Sequence, residues 1–136
     1  WGSLGIALDC YETALQYANE RIQFGKPIAS YQLIQKKLAE MITEITKAQL
    51  LTYQLAVLMN KQEATHTQIS MAKRNNVAMA QEVAKQSRQI LGGMGITGDY
   101  PIMRHIMNLE TLVTYQGTHE MHLLITGRDI TGINAI

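Results

Sequence analysis

The chain has 136 residues, enough for one domain around one sizeable core. A formal net charge of +1 argues against a nucleic-acid footprint or a membrane-surface role, and no apolar run reaches the ~20 residues that span a bilayer. Its one cysteine, Cys10, cannot close an intrachain disulfide, which is compatible with a reducing compartment. Only two prolines occur, and Ala, Leu, Met, Gln, Glu and Lys are plentiful, a mixture that favours helix. The start at Trp1, inside an apolar run and without an initiator methionine, reads as a segment of a longer chain.

Leu4, Leu8, Tyr11, Leu15, Ala18 and Ile22 recur at three- and four-residue steps and predict a first helix over 2–23. Gly25 and Pro27 interrupt it. A second helix is expected over 30–59, with a stripe of Ile34, Leu38, Met41, Ile42, Ile45, Ala48, Leu55 and Met59. Residues 60–66 are polar and read as a turn. A third helix follows, with Ile69, Ala72, Asn76, Met79, Val83 and Ile90 on one face, and it stops at Gly92 and Gly93. Pro101 opens a short helix to about Asn108. Thr118 is a plausible N-cap for a last helix to about Asp129. No alternating strand pattern persists beyond a few residues. The fold expected is all-α: an antiparallel up-down four-helix bundle with a short additional C-terminal helix, one domain over 1–136.

Several motifs carry chemistry elsewhere. Gly93, Gly95 and Gly98 satisfy G-x-G-x-x-G, but the run follows a long helix with no βαβ pattern around it. A helix stop with a tight turn, or a place where a ligand approaches the backbone, fits better. Glu63 and His66 make one E-x-x-H pair, where a di-iron bundle needs two such pairs and two further carboxylates. His119 and His122 are three apart and lack further ligands in the sequence, so no metal site is assigned. Cys10 has no activating partner on its helix and reads as a buried, inert thiol. The basic runs at 35–37 and 73–76 read as solvated helix faces, and the methionines as core filler.

Five stretches taken together resemble the C-terminal domain of acyl-CoA dehydrogenases: YANERIQFGKPI at 17–28, YQLIQKKLA at 31–39, KRNN at 73–76, RQILGGMGI at 88–96 and YQGTH at 115–119. The opening Trp1-Gly2, QKKL at 35–38, KRNN at 73–76, RHIMNLE at 104–110 and TGI at 131–133 resemble the glutaryl-CoA dehydrogenase branch in particular. The resemblance implies a flavoprotein parent about three times longer, with an N-terminal helical domain and a central β domain. It implies FAD as cofactor and an acyl-CoA as substrate. It also implies a homotetramer, with an electron-transfer flavoprotein as electron acceptor and no nucleic-acid or membrane partner. A bacterial parent is expected in the cytoplasm and a eukaryotic one in the mitochondrial matrix.

Residue by residue, the resemblance places Arg21, Gln23 and Phe24 against a neighbouring subunit's FAD. It places Gln89, Gly92 and Gly93 near the adenine end of a flavin, and Thr118 and Glu120 beside one. Tyr115 and Gly117 fall at the substrate. Glu120 stands where the glutaryl branch usually has a shorter acid. In the family a carboxylate takes the proton next to the thioester carbonyl, a hydride leaves the next carbon for the flavin, and a backbone N–H helps polarise the thioester oxygen. Gln116 falls where this branch carries that carboxylate, and a carboxamide cannot take the proton. Its backbone N–H remains. The glutamine is a deliberate substitution that traps substrate, the mark of a paralogue without dehydrogenation, or a sign that the base lies upstream of Trp1. Three functions follow: a dehydrogenase parent, a non-catalytic acyl-CoA or flavin-binding paralogue, and an assembly module. The domain by itself is expected to be inactive and to hold no FAD.

Overall fold

A computed structural model describes residues 1–135. Among them are five α-helices: α1 (Gly2–Glu20), α2 (Gln32–Asn60), α3 (His66–Leu91), α4 (Ile102–Thr114) and α5 (His119–Thr131). Helix α3 is the hub, packing against each of the other four. The all-α bundle expected from the periodicity is the fold observed.

The α1–α3 contact is the most extensive in the molecule. The buried line on α1 is Leu4, Ala7, Cys10, Ala14 and Ala18, one turn-face away from the larger Leu8, Tyr11 and Leu15, which are half-buried. Helix α3 also buries small side chains, Ala80, Ala84 and Ser87. Small residues on two packed faces let helix axes approach closely. Leu4 apart, the larger side chains of the helical stripe flank the seam and do not form it. Cys10 lies in that seam, fully buried, and burial with Asp9 beside it pushes its thiol up to about 12. An inert thiol is what that environment produces.

Two buried polar links tie α2 to α3. Asn76 donates through Nδ2 to Thr52 Oγ1 at 2.7 Å, and Thr52 donates onward to the Ala48 carbonyl. Ser87 Oγ lies 3.7 Å from Met41 Sδ. A capping box opens α3: the Gln68 N–H donates to Thr65 Oγ1, and Gln68 Oε1 accepts from the Thr65 N–H. The pattern Thr65-x-x-Gln68 is legible in the sequence.

Two helix ends differ clearly from expectation. Helix α1 ends at Glu20, not Gln23, because the chain turns into a hairpin of β1 (Ile22–Gln23) and β2 (Lys26–Pro27). Its two-residue loop, Phe24 and Gly25, has φ of 50° and 80°, the positive pair that a type I′ hairpin turn requires. Strands two residues long leave no alternation to read. Helix α4 runs to Thr114, six residues past the expected end. Its apolar line of Ile102, Ile106, Leu109 and Leu112 continues past Asn108 and packs into the core. Tertiary packing outweighs the weak helix propensity of Thr111, Val113 and Thr114. Among the described residues no helix is long and apolar enough to cross a membrane.

Candidate functional site

The residues singled out in sequence gather in two places. The first is a groove of about 1050 Å³ between the hairpin, the start of α2 and the end of α3. Arg21, Gln23, Phe24, Gln89, Gly92 and Gly93 all line it. They come from segments more than sixty positions apart, so the groove is a product of the fold.

The hairpin is pinned to the first residue before α2. Tyr31 donates its hydroxyl to the Gln23 carbonyl at 3.0 Å, stands edge-on to the Phe24 ring at 6.5 Å, and carries Lys26 Nζ 4.4 Å above its ring. Phe24 itself is 93% exposed. Among the described residues, no carboxylate lies within ion-pair distance of Arg21. Gln89 Oε1 accepts from Lys37 Nζ at 2.5 Å. Beyond α3 the chain makes a 3-10 turn over Gly92–Ile96, with Gly92 at φ 59° and open space where Cβ atoms on Gly92 and Gly93 would stand. Gly95 differs: a Cβ there would lie 2.4 Å from the Arg88 carbonyl oxygen. That glycine exists for close packing against the helix end, and the two-stranded antiparallel hairpin is the only sheet among the described residues. A dinucleotide loop of the Rossmann type is therefore excluded.

This donor set fits one segment of a dinucleotide cofactor. An unpaired guanidinium suits a pyrophosphate, an exposed ring suits stacking, and bare glycines admit a close backbone approach.

The second place is the turn between α4 and α5. Tyr115 and Gln116 line a cavity of about 320 Å³ together with Trp1, Ser3, Asn76 and Leu112. Gln116 and Gly117 both have positive φ, 56° and 91°. A left-handed conformation at a residue with a Cβ costs roughly 1–2 kcal/mol, so other contacts must hold Gln116 there. Lys73, on α3, donates through Nζ to the Tyr115 carbonyl at 3.2 Å and to the Gly117 carbonyl at 2.7 Å. Under the turn lies His122, 8% exposed, whose Nε2 would be 3.0 Å from a Cβ on Gly117. Neither ring nitrogen of His122 meets hydrogen-bond geometry with a partner. Burial first, and the Lys73 ammonium second, hold its imidazole below the usual range. The nearby backbone at Gln116 and Gly117 acts in the opposite direction, and His119 lowers the imidazole slightly further. Burial likewise lowers Lys73.

Thr118 caps α5 by accepting from the Met121 N–H at 3.4 Å. Glu120 follows in the first turn and is exposed. Its carboxyl is held low by its own backbone N–H and by the Thr118 side chain, with His119 contributing less. The first groove and the turn cavity share no lining residue. The sequence assigns no site role to Lys73, His122 or Tyr31. The contacts of Lys73 lie 42 and 44 positions away, and no local pattern announces them.

An all-α domain with these two sites defines a class, and a family model agrees. The model for the acyl-CoA dehydrogenase C-terminal domain matches residues 1–131, and the chain belongs to the acyl-CoA dehydrogenase family. Within the family it is similar to glutaryl-CoA dehydrogenase from Mycobacterium smegmatis. The identity to that crystal structure is 50% and the TM-score 0.97, over 99% of this chain and 35% of that one. A glutaryl-CoA dehydrogenase of the same organism in complex with FADH2 is 44% identical with a TM-score of 0.96, again over 99% of this chain and 35% of that one. The short-chain specific acyl-CoA dehydrogenase of Megasphaera elsdenii is 35% identical over 92% of this chain and 33% of its own length. The chain thus spans about a third of the length of the relatives it matches.

Proposed function

We propose that the chain is the C-terminal domain of an FAD-dependent dehydrogenase that oxidises an acyl-CoA thioester to the α,β-enoyl-CoA, with decarboxylation following when the substrate is glutaryl-CoA. The observation that carries this reading is the turn at 115–118. It places Gln116, whose backbone N–H has no backbone acceptor among the described residues, in the lining of a cavity, on a left-handed pair whose flanking carbonyls Lys73 holds. Bound FAD supplies the hydride acceptor. The chain's own residues bind and orient. Arg21, Gln23 and Phe24 receive the cofactor of a neighbouring subunit, and Gln89, Gly92 and Gly93 its adenine end. Thr118 and Glu120 lie beside the flavin, and Tyr115 and Gly117 shape the thioester site. A homotetramer, in which each copy lends its groove to another, is the assembly we favour. An electron-transfer flavoprotein is the proposed acceptor, in the bacterial cytoplasm or the mitochondrial matrix.

Gln116 favours a second reading, a parent that binds acyl-CoA and flavin without oxidising. An amide keeps the shape of the base and its backbone N–H but accepts no proton. The test is single-turnover flavin reduction in the full-length protein, native and Gln116→Glu, with glutaryl-CoA and a short unbranched acyl-CoA. Dehydrogenation through position 116 predicts a large gain in the glutamate variant. Equal, fast reduction in both places the base elsewhere. Binding without reduction in either establishes the second reading.

A further inference from the structure

We propose that Lys73 and His122 are positioning residues of the thioester site: together they hold the 115–118 turn so that the Gln116 backbone N–H and side chain face the substrate. The inference rests on the reading of that turn as the thioester site.

The geometry starts from the peptide plane. In a trans peptide the C=O of one residue and the N–H of the next point in opposite directions, and the described residues contain no cis bond. Lys73 draws the Tyr115 carbonyl toward α3, so the Gln116 N–H points away from it. By the same argument, holding the Gly117 carbonyl turns the Thr118 N–H outward. Among the described residues no backbone carbonyl accepts the Gln116 N–H, which leaves it free for a ligand. One ammonium gripping two carbonyls two residues apart fixes both peptide planes on either side of the left-handed pair.

His122 supplies the floor. Its ring is packed beneath Gly117 so closely that a side chain there would meet Nε2 at 3.0 Å. It stands on α5, one turn past the Thr118 cap, so the cap fixes where the ring sits. The ring is buried against the backbone of Gln116 and Gly117, the two residues whose conformation it supports. A neutral ring also avoids repelling the Lys73 ammonium, and its environment disfavours the proton, as described above.

Lys73→Met and Lys73→Arg in the FAD-loaded full-length protein test this, in the Gln116→Glu background where turnover is measurable. Lys73→Met removes the charge and donors at constant length. Misplacement by about 1 Å can cost on the order of 10²-fold in rate, so kcat should fall about 10- to 100-fold with little change in KM. Lys73→Arg should recover most of it. With a ¹³C-labelled thioester carbonyl, the infrared stretch of the bound substrate should move toward its solution frequency in Lys73→Met only. Flavin content and melting temperature should stay near those of the parent. Unchanged kcat and unchanged stretch would overturn the assignment. So would a loss of flavin or stability with the rate per flavin intact, which is the signature of a purely structural lysine. Lys73→Gln, which keeps a donor, repeats the test if the methionine variant does not fold; failure of both makes Lys73 a stability residue and also overturns the proposal. A crystal structure of ligand-free Lys73→Met separates this inference from the functional reading. If the full-length protein binds no acyl-CoA, that reading fails, yet Gln116 leaving the left-handed region would still establish the clamp.

Discussion

Three residues with side chains take positive φ among the described residues, Phe24, Gln62 and Gln116, and the turns at Phe24 and Gln116 are supported in opposite ways. Phe24 sits at φ 50° on a hairpin whose support is local: Tyr31, seven positions on, receives its ring and bonds Gln23. Gln116 sits at φ 56° on a turn whose support comes from Lys73, more than forty positions back, and from the buried ring of His122. Both turns pair the strained residue with a following glycine of positive φ, Gly25 and Gly117. Around Gly25 there is open space, whereas Gly117 lies against His122. The hairpin is therefore free to meet something outside the domain, and the second turn is built to stay still.

The largest expected effect tests whether the rigid turn still has its reactive group's place ready. Gln116→Glu changes one atom on an intact frame. A positioned general base contributes about 10²–10⁴-fold, so single-turnover flavin reduction in the full-length protein should rise by that order, with substrate affinity little changed. No gain would mean that the frame is preserved for binding alone.

Alanine at the two glycines measures the difference in support. Gly25→Ala meets no neighbour and should cost only the left-handed penalty, about 1–2 kcal/mol. Gly117→Ala carries the same penalty plus an overpacked contact with His122, and should cost about 2–3 kcal/mol. Thermal unfolding of the two full-length variants gives the comparison directly. Equal losses would show that His122 yields easily and is no floor. Tyr31→Phe should cost less, about 0.5–1 kcal/mol, because it deletes one partly solvated bond to Gln23 and keeps the ring. Limited proteolysis at the hairpin should quicken with it, and an unchanged rate would mean that stacking alone secures Phe24.

The same contrast explains what the sequence made legible. Helix existence came through because Leu38, Met41, Ile45 and Ala48, or Ala72, Asn76, Met79 and Val83, repeat at helical spacing and are buried as that spacing requires. Arg21, Gln23, Phe24, Gln89, Gly92 and Gly93 were chosen by resemblance, and the fold does bring them to one groove. In the sequence the hairpin resembles a helix end, because its strands are too short to alternate and phenylalanine is an unusual residue for a type I′ position. Lys73 was read as part of a solvated basic face. That was reasonable for a KRNN run on a helix, since one turn of helix cannot reveal a carbonyl that arrives from 42 residues away. In the sequence His122 is only half of a histidine pair without further ligands, and its burial under Gly117 depends on where the cap at Thr118 starts α5. Long-range polar contacts leave no period in the sequence, and no cap or glycine stop marks them.

The smallest expected effect is a pH dependence of stability at the second turn. His122 is buried, faces Lys73 from α3 and has His119 near it on α5, so its folded-state pKa is depressed. The unfolded chain, with an ordinary value near about 6.5, takes up the proton more readily than the folded one. The stabilisation is complete above that value and is lost as pH falls through it toward the lower folded value. The effect is small because the backbone at Gln116 and Gly117 pulls the other way. Chemical denaturation of the full-length protein at about pH 7.5 and about pH 5.5 brackets the range. The native protein should lose more stability between the two than His122→Phe, which keeps a ring under Gly117 and removes the titration. If both lose the same amount, His122 contributes no titration to the turn, and its ring serves there as shape alone.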